Sequence, residues 1–505
     1  MILFNRNIGL QSRIHTALLF MLVLLSAGCA GRYFHDVSLP QASERYDLSS
    51  LPYTEYWSGI IFNGSKIGFS HFSIKPSRDL PGHYEIRSEA ALHLRILMAD
   101  KKVSMVSYDL VREDLSLKEF QYRYDMDGSR LEIYGSCDQE GVRVSKESNN
   151  NVSADIIEVA SRVYPGSVVY LYPAVHGMEI GSRYSYDVFD SESQSIDTVR
   201  QKILAYQQSD LFEGSAFKME TQYFGQKMTS WIDASGKPLF EMALGGILLS
   251  GLESETEAKR YLLESSMNKD ESLLDFCLIR TARPIEQPEK VTCLEVIISG
   301  IGDDFAMPCD AGQVCVRQGS DVHCTVRVNP PDEEVGRGAG HDRPVDEYLM
   351  STYTVPCQDE RIASKAAEIT KDASTDLEKV ESLLAWLKGN IRKEPVDVFT
   401  ALDVLEGEKA ECQGHAYLYT AFARSAGIPT RIVSGIVYAA DFKGFLYHSW
   451  AESLIDGSWI SIDPTTSQLP SDATHIKLIE GESMSSLVPM AGMIGKLGIE
   501  IVELK

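Results

Sequence analysis

The N-terminal half of the chain is dominated by residues that alternate between apolar and polar side chains. The alternation runs from about residue 53 to about residue 259, as in YWSGIIFNGSKIGFSHFSI. A period of two is typical of β-strands, and short dipeptides ending in glycine between two such runs are typical of hairpin turns. The turn dipeptides are Asn63-Gly64, Asp127-Gly128 and Ser235-Gly236. The pattern predicts a large, mostly antiparallel sheet, with a helix at residues 153–165 packed against it.

The C-terminal part changes to helical spacing after Pro356. Residues 375–391 carry apolar side chains at intervals of three and four, and Thr375 with Glu378 forms a capping-box pattern at their start. Several alternating runs with tight turns then follow between residues 430 and 465. Helices followed by strands predict an α+β domain with an antiparallel sheet.

These patterns divide the chain into six segments. The predicted boundaries are 1–29 for a signal peptide, 30–52 for a tether, 53–268 for the β-rich domain, 269–345 for a small cysteine-containing β unit with a linker, 346–480 for the α+β domain, and 481–505 for a tail with a final strand at residues 499–504.

Composition and charge restrict the class of partner. The chain has 505 residues, a formal net charge of -24 and an isoelectric point of about 4.9. Because nucleic-acid phosphates repel such a chain, we expect no nucleic-acid partner. Nothing in the sequence resembles an acidic calcium loop, so we expect neither a metal requirement nor another cofactor.

The N-terminus resembles a bacterial lipoprotein signal. Arg6 and Arg13 precede the apolar run at residues 17–25, which is too short to span a bilayer, and LLSAGCAG follows. The resemblance implies that Cys29 is lipidated and anchors the protein to a membrane of the cell envelope. Because Ala30 follows the cysteine, the outer membrane is favoured. The alternative is an ordinary cleaved signal peptide.

Export would place the cysteines in an oxidising compartment. Six of them lie between residues 277 and 357, which predicts one or more disulfides whose pairing the spacing does not reveal. A zinc site is the rival interpretation. It is disfavoured because the spacings lack the C-x2-C knuckle.

One cysteine stands apart in chemistry. Cys412 lies in the first turn of a helix predicted over residues 412–426, which Gly427 terminates. Unpaired backbone N–H groups and the helix dipole favour negative charge at that end. We therefore expect a lowered pKa for this thiol, as in reactive cysteines.

A base and an orienting carboxylate are available in the strands that follow. His448 lies in FLYHSWAESL and Asp463 ends WISIDPTT. A hairpin turn at Asp456-Gly457 would bring these two side chains within reach of each other, with allowance for a bulge. With Cys412 they would form a nucleophile, a base and an orienting group.

These segments resemble the transglutaminase-like superfamily of papain-type cysteine enzymes. The family motifs are a cysteine opening a helix that ends in R-x-x-G-I-P-x-R, then H-x-W-x-E and W-x-x-x-D-P-T strands. The matching positions are Cys412, Arg424, Gly427, Ile428, Pro429, Arg431, His448, Trp450, Glu452, Trp459, Asp463, Pro464 and Thr465. The likeness covers about residues 356–480, and DATHIKLIEG at 472–481 also resembles the ending of bacterial members. Ala410 departs from the glycine that members commonly carry there.

The resemblance implies an amide- or peptide-cleaving enzyme that works through a thioester on Cys412. His448 would be the base, Asp463 its orienting group, and Gln413 and Trp450 would line the substrate cleft. The substrate would be a protein or peptide in the cell envelope. Hydrolysis is favoured, and transfer of the acyl group to an amine, which cross-links proteins, is the alternative.

Other interpretations of these residues remain open. His415 lies three positions after Cys412 and would be a rival base. Cys412, His415 and His448 would make a zinc site, or Cys412 would pair with Cys357 in a disulfide. Arg424 and Arg431 are expected to form ion pairs that hold the helix to the sheet. The whole protein would alternatively be a catalytically silent binding module of the envelope.

Overall fold

A computed structural model gives the fold of the chain. It describes residues 33–39, 45–62, 64–96, 99–126, 129–148, 151–190, 195–223, 226–243, 246–264, 277–302, 305–328, 344–482, 489–490 and 493–505. Cys29 and the predicted signal peptide lie outside these ranges, as do the predicted turn residues Asn63, Asp127 and Gly128. The described part is α+β, as predicted. None of its helices is long and apolar enough to cross a membrane.

A sheet of 16 strands forms the N-terminal part of the fold. Every neighbouring pair is antiparallel except β10 with β11. The strands are β1 (Phe34–Asp36), β2 (Glu55–Phe62), β3 (Ser65–Pro76), β4 (His83–Ile96), β5 (Ala99–Arg112), β6 (Leu117–Met126), β7 (Ser129–Cys137), β8 (Val142–Ser148), β9 (Asn151–Ile157), β10 (Val163–Pro165), β11 (Arg183–Asp190), β12 (Ser195–Ser209), β13 (Phe212–Tyr223), β14 (Gln226–Ile232), β15 (Pro238–Ala243) and β16 (Leu248–Glu253). Two helices, α1 (Leu171–His176) and α2 (Glu255–Glu264), accompany them.

The order of these strands requires the sheet to fold over on itself. The path runs β10 to β16 and then β2 to β9, so β9 and β10 are its two edges. Fifteen flat strands would span roughly 65 Å, yet residues 158–162 between the edges reach at most about 20 Å. Consistent with this, Ile86 and Val111 from one half share a core with Val188 and Val199 from the other.

The predicted helix at residues 153–165 is wrong. The segment contains the end of β9 and all of β10. Its apolar residues fit a helical period, but β9 pairs along its length with β8, so cross-strand pairing overrides the local pattern.

A second, smaller sheet has four strands in the order β19-β20-β18-β27. Their bounds are β18 (Cys293–Ser299), β19 (Gln313–Gln318), β20 (Asp321–Arg327) and β27 (Gly498–Leu504). Cys315 and Cys324 face each other across β19 and β20 and form a disulfide. The C-terminal tail therefore completes a sheet that begins about 200 residues earlier in the chain.

The C-terminal α+β domain places four helices before its main strands. The helices are α3 (Glu360–Thr370), α4 (Asp376–Asn390), α5 (Ala401–Gly407) and α6 (Cys412–Ser425). The main sheet contains β17 (Ile279–Arg280), β23 (Thr430–Ala439), β24 (Gly444–Ile455), β25 (Ser458–Ile462) and β26 (Ile476–Glu480), and a short pair joins β21 (Arg392–Lys393) to β22 (Lys409–Ala410). The predicted capping box of α4 is confirmed, with Thr375 accepting from the Glu378 N–H and Glu378 accepting from the Thr375 N–H.

Helix α6 is the central element of this domain. Eleven of its residues are buried, and it packs against α3, α4, α5 and β24. Arg424, near its C-terminus, donates to the backbone oxygens of Thr430 and Met350 and pairs with Glu482. The expected anchoring role of this arginine is confirmed. Such contacts fix the position and direction of α6, and with them the position of its first residue.

A buried ionic cluster joins the small sheet to the main sheet. Arg431 on β23 pairs with Glu452 on β24, Glu480 on β26 and Asp310, which precedes β19. Lys477 contacts Glu452 at 2.8 Å and also pairs with Asp310. Removing one partner from a buried pair costs about 3–5 kcal/mol, so this cluster holds the two sheets in a fixed relation. The ion pairs expected for Arg431 are confirmed.

Candidate active site

The thiol of Cys412 lies at the N-terminus of α6. Cys412 is the first residue of the helix, Glu411 is its N-cap, and the cap makes no side-chain hydrogen bond to the first turn. The first backbone N–H groups of a helix have no partner within it, so positive potential gathers at this end. The cysteine is partly exposed and forms no disulfide, which excludes the pairing with Cys357.

The hairpin of β24 and β25 brings His448 and Asp463 together. Asp456 and Gly457 both have positive φ, 51° and 79°, as a tight turn between twisted strands requires. The register pairs Ala451 with Ile462, so His448 and Asp463 lie diagonally on one face of the hairpin. His448 Nε2 is 3.1 Å from Asp463 Oδ2, and the ladder from the turn to the pair Ala451 and Ile462 contains no bulge.

Asp463 is a fully buried carboxylate surrounded by donors. Its side chain is 1% exposed. Oδ1 accepts from the backbone N–H of Thr465 at 2.8 Å, and Oδ2 accepts from the Thr466 hydroxyl at 2.6 Å and from His448. Burial favours the neutral acid, but the charge and hydrogen bonds of the histidines outweigh it and hold the pKa of Asp463 well below its usual range.

Cys412 and His448 form a coupled pair. Burial alone would raise the pKa of the Cys412 thiol, but a hydrogen bond and charge from His448, with the Ser449 backbone N–H, lower it overall. Burial alone would lower the pKa of His448, but Asp463 and then Cys412 raise it to about 10. Since Nε2 faces Asp463, Nδ1 is the nitrogen left for the thiol. The two shifts act in the same sense and favour a thiolate paired with an imidazolium.

Comparison with known proteins finds a family model that matches the part of the chain that carries this site. A family model described as "Transglutaminase-like superfamily" matches residues 363–464, which contain all three groups. Residues 363–464 form a transglutaminase-like domain.

Two curated relatives match part of the chain. Kyphoscoliosis peptidase of Homo sapiens is 26% identical over 112 residues, 20% of this chain and 17% of the relative, and the protein of that name in Mus musculus is 25% identical over the same length. This chain therefore spans only about a sixth of these relatives. A solved structure described as a TGase overlaps 33% of this chain and 54% of that chain, with 16% identity and a TM-score of 0.16. That overlap is too small to support a conclusion about function.

Gln413 lies beside the thiol in the transglutaminase-like domain and is partly exposed. Its side-chain amide donates to the hydroxyl of Tyr417, which in turn donates to the backbone oxygen of Glu482 at 3.0 Å. Gln413 is thus held in place one residue after the nucleophile, where it can contact a bound substrate.

Trp450 does not line a cleft, contrary to the prediction. Its side chain is 0% exposed. Its ring stacks on His448, with the ring centroids 6.1 Å apart, and meets the ring of His475 edge-on at 5.2 Å. A residue two positions from His448 on the same strand lies on the same face, so the tryptophan packs beside the imidazole and limits its movement.

His415 is not positioned as a base for Cys412. Its side chain is buried, its Nδ1 lies 2.8 Å from the Glu411 backbone oxygen, and burial lowers its pKa. A ring whose nitrogen is hydrogen-bonded to its own helix holds the helix start rather than accepting the thiol proton. The contact instead stabilises the turn that carries Cys412.

The methyl group of Ala410 packs against Gly414 in the first turn of α6. Ala410 is fully buried, and a Cβ atom built on Gly414 would lie 2.7 Å from the Ala410 Cβ. The alanine therefore occupies space that the glycine at position 414 leaves open. The first turn of α6 thus has room for alanine at position 410, where members of the family commonly carry glycine.

His475 is a member of the site that the motif analysis missed. Its Nε2 is 3.5 Å from Asp463 Oδ2, and its Nδ1 is 3.1 Å from the Asp472 backbone oxygen. Both ring nitrogens face acceptors, and the flanking carboxylates raise the pKa of His475 against the effect of burial, which favours the doubly protonated ring. The signal was present in DATHIKLIEG, which was matched to bacterial members without a role for its histidine.

His448, Asp463 and His475 also form a group with the spacing of a metal site. One ligand atom from each lies within 4.8 Å of the others. A histidine binds a metal as the neutral imidazole, however, and the raised pKa values of both histidines favour the protonated ring. The chemistry of the group therefore favours a hydrogen-bonded carboxylate between two imidazolium rings.

The ion pair predicts an unusual pH profile for alkylation of Cys412 by iodoacetamide. The thiolate forms as pH rises through the lowered Cys412 pKa and stays paired until His448 loses its proton near pH 10. We expect a rate midpoint below the value of about 8.5 for a free cysteine. In His448→Ala the midpoint should move to 8.5 or higher, because burial is then no longer opposed by the hydrogen bond and charge of His448. A wild-type midpoint that the substitution leaves unchanged would contradict the coupling.

His475 should act as a positioning residue for Asp463. Replacement by alanine removes one donor and frees the carboxylate to move, so we expect the rate of Cys412 alkylation at pH 7 to fall about tenfold. His475→Gln keeps a donor and should recover most of the rate. If Cys412 is alkylated at equal rates in His475→Ala and His475→Gln, and the melting temperatures are unchanged, His475 only fills space.

Proposed function

We propose that this protein is a transglutaminase-like cysteine enzyme that cleaves an amide or peptide bond through a thioester on Cys412. The observation that carries the proposal is the alignment of a partly exposed thiol, an imidazole and a buried carboxylate. A structural cysteine needs no base, and a structural histidine needs no buried carboxylate. Together the thiol of Cys412, the imidazole of His448 and the carboxylate of Asp463 supply the parts of a nucleophilic acyl-transfer site.

Attack on the carbonyl carbon is the first step. The Cys412 sulfur forms a bond to that carbon, and the carbonyl π electrons move to oxygen. The backbone N–H of Cys412 is one of the unpaired donors at the start of α6 and stabilises the resulting oxyanion. Collapse of this intermediate breaks the carbon–nitrogen bond, and the amine leaves with the proton from His448 Nδ1.

Release of the acyl group uses the same residues in reverse. His448, now neutral, takes a proton from a water molecule as the water oxygen attacks the thioester. The carbon–sulfur bond breaks, the product leaves as a carboxylic acid, and the thiolate and imidazolium are restored. Asp463 remains ionised throughout and keeps Nε2 protonated, so that Nδ1 is the nitrogen that exchanges the proton.

Hydrolysis is proposed over transfer to an amine. The overlapping region of the human relative belongs to a protein named a peptidase, which supports water as the acceptor. Cross-linking through a lysine amine would begin with the same thioester. The two reactions therefore differ only in the group that attacks it.

The proposed location is the cell envelope, with the enzyme anchored to a membrane through lipidated Cys29, the outer membrane being favoured. The support is the pattern of Arg6, the apolar run at residues 17–25 and LLSAGCAG. Such an anchor would restrict the substrates to proteins or peptides of that compartment.

An oxygen-18 experiment separates the two reactions. A glutamine-containing protein substrate is incubated with the enzyme in oxygen-18 water, with and without a labelled primary amine, and the products are analysed by mass spectrometry. We expect one heavy oxygen in each new carboxylate and none in the Cys412→Ser control. Incorporation of the amine instead of oxygen would overturn hydrolysis, and no product with any substrate would favour a silent binding module.

The anchor is tested by replacing the lipidated residue. Expression of wild type and Cys29→Ser in a Gram-negative host, followed by fractionation, should place the wild type in the membrane fraction and the variant in the soluble fraction. Wild type in the soluble fraction would indicate an ordinary cleaved signal peptide.

A further inference from the structure

A cavity of about 420 Å³ lies beside the carboxylate side of the site. It opens between the C-terminus of α4, strand β21 and the segment that follows Asp463, and Cys412 is not among its lining residues. Its size is that of a small-ligand subsite. None of the chemistry described above uses it.

The lining of this cavity is positively charged. Lys388, Arg392 and Lys393 contribute to the wall, and no acidic residue does, in a chain whose formal net charge is -24. Arg392 pairs with Glu394 at 3.1 Å, but both side chains are exposed, so the pair is weak. Within the described ranges, Lys388 and Lys393 have no ion-pair partner. Two cations are therefore free to meet an anion.

A buried hydroxyl adds a second, independent feature. The Oγ1 atom of Thr465, another lining residue, is shielded from solvent and has no hydrogen-bond partner among the described residues. Leaving such a group unpaired is unfavourable. A rotation of the Thr465 side chain would present this hydroxyl to an acceptor bound in the cavity, and a carboxylate accepts hydrogen bonds on both oxygens.

The cavity borders residues that are adjacent to both the thiol and the carboxylate of the site. His415, which also lines it, is one helical turn from Cys412, a spacing of roughly 5–6 Å between Cβ atoms. On the other side Pro464 follows Asp463 directly, and Thr466 donates to that carboxylate. A group in the cavity would thus lie about one residue away from the bond under attack.

We propose that this cavity is a subsite for a carboxylate carried by the substrate next to the scissile bond. Lys388 and Lys393 provide the charge, and the Thr465 hydroxyl provides a buried donor. The inference rests on the proposed function, because the cavity serves as a subsite only if Cys412 attacks a bound substrate. The carboxylate has two sources, an acidic side chain or the free C-terminus of a peptide.

Protection of Cys412 from iodoacetamide tests the subsite. Two pairs of short peptides are compared. The members of the first pair have blocked ends and differ in a central residue, which is glutamate in one and glutamine in the other. The members of the second pair differ in the C-terminus, which is a free carboxylate in one and an amide in the other. We expect the carboxylate member of one pair to protect Cys412 at a concentration about tenfold below that of its amide partner. The pair whose two members protect Cys412 at different concentrations identifies the source of the carboxylate.

Variants assign the effect to the cavity. Lys388→Gln combined with Lys393→Gln should abolish the difference within the pair, while Lys371→Gln, a control on an exposed lysine outside the cavity, should retain it. Equal protection within both pairs, including no protection, or a difference that survives the double substitution, would overturn the subsite. Slow labelling of Cys412 without any peptide would instead overturn the proposed function, so the two failures are distinct.

Discussion

The hydrogen bond between His448 and Asp463 is the interaction on which the rest of the site depends. The carboxylate is 1% exposed, and an isolated charge at that depth would be neutralised by protonation. It stays ionised because Thr465, Thr466 and the two imidazole rings all donate to it. Its charge then keeps His448 protonated, and protonated His448 stabilises the thiolate at the start of α6. The sulfur is thus reactive because of a carboxylate that it does not touch.

The fold provides this arrangement by fixing two elements that are distant in sequence. Helix α6 is anchored at its end by Arg424 and at its beginning by the contact of His415 with Glu411. The hairpin of β24 and β25 is held by the buried cluster around Arg431, which reaches Asp310 in the segment before β19 of the small sheet. That sheet takes its last strand from the C-terminus of the chain. The segments before and after the transglutaminase-like domain therefore brace it, although neither supplies a reacting group.

The sequence predicted the elements in which local pattern and tertiary pairing agree. The α6 bounds, the α4 capping box and the tight turn at Asp456-Gly457 all follow from signals within a few residues. The segment at 153–165 was misassigned because its pairing with β8 is invisible in a helical period. Trp450 was placed in a cleft because its motif gives its strand but not the burial of its face. His475 was missed because it reaches Asp463 only after a loop, residues 463–475, whose path no period describes.

The state of the Cys412 sulfur is the most direct test of this account. Thiolate absorbs in the far ultraviolet and thiol does not, so the absorbance difference between wild type and Cys412→Ser reports the charge on this one sulfur. We expect a thiolate signal that persists at pH 6 in the wild type and is absent in His448→Ala at the same pH. A wild-type signal that appears only above about pH 8.5, the ordinary range for cysteine, would contradict it.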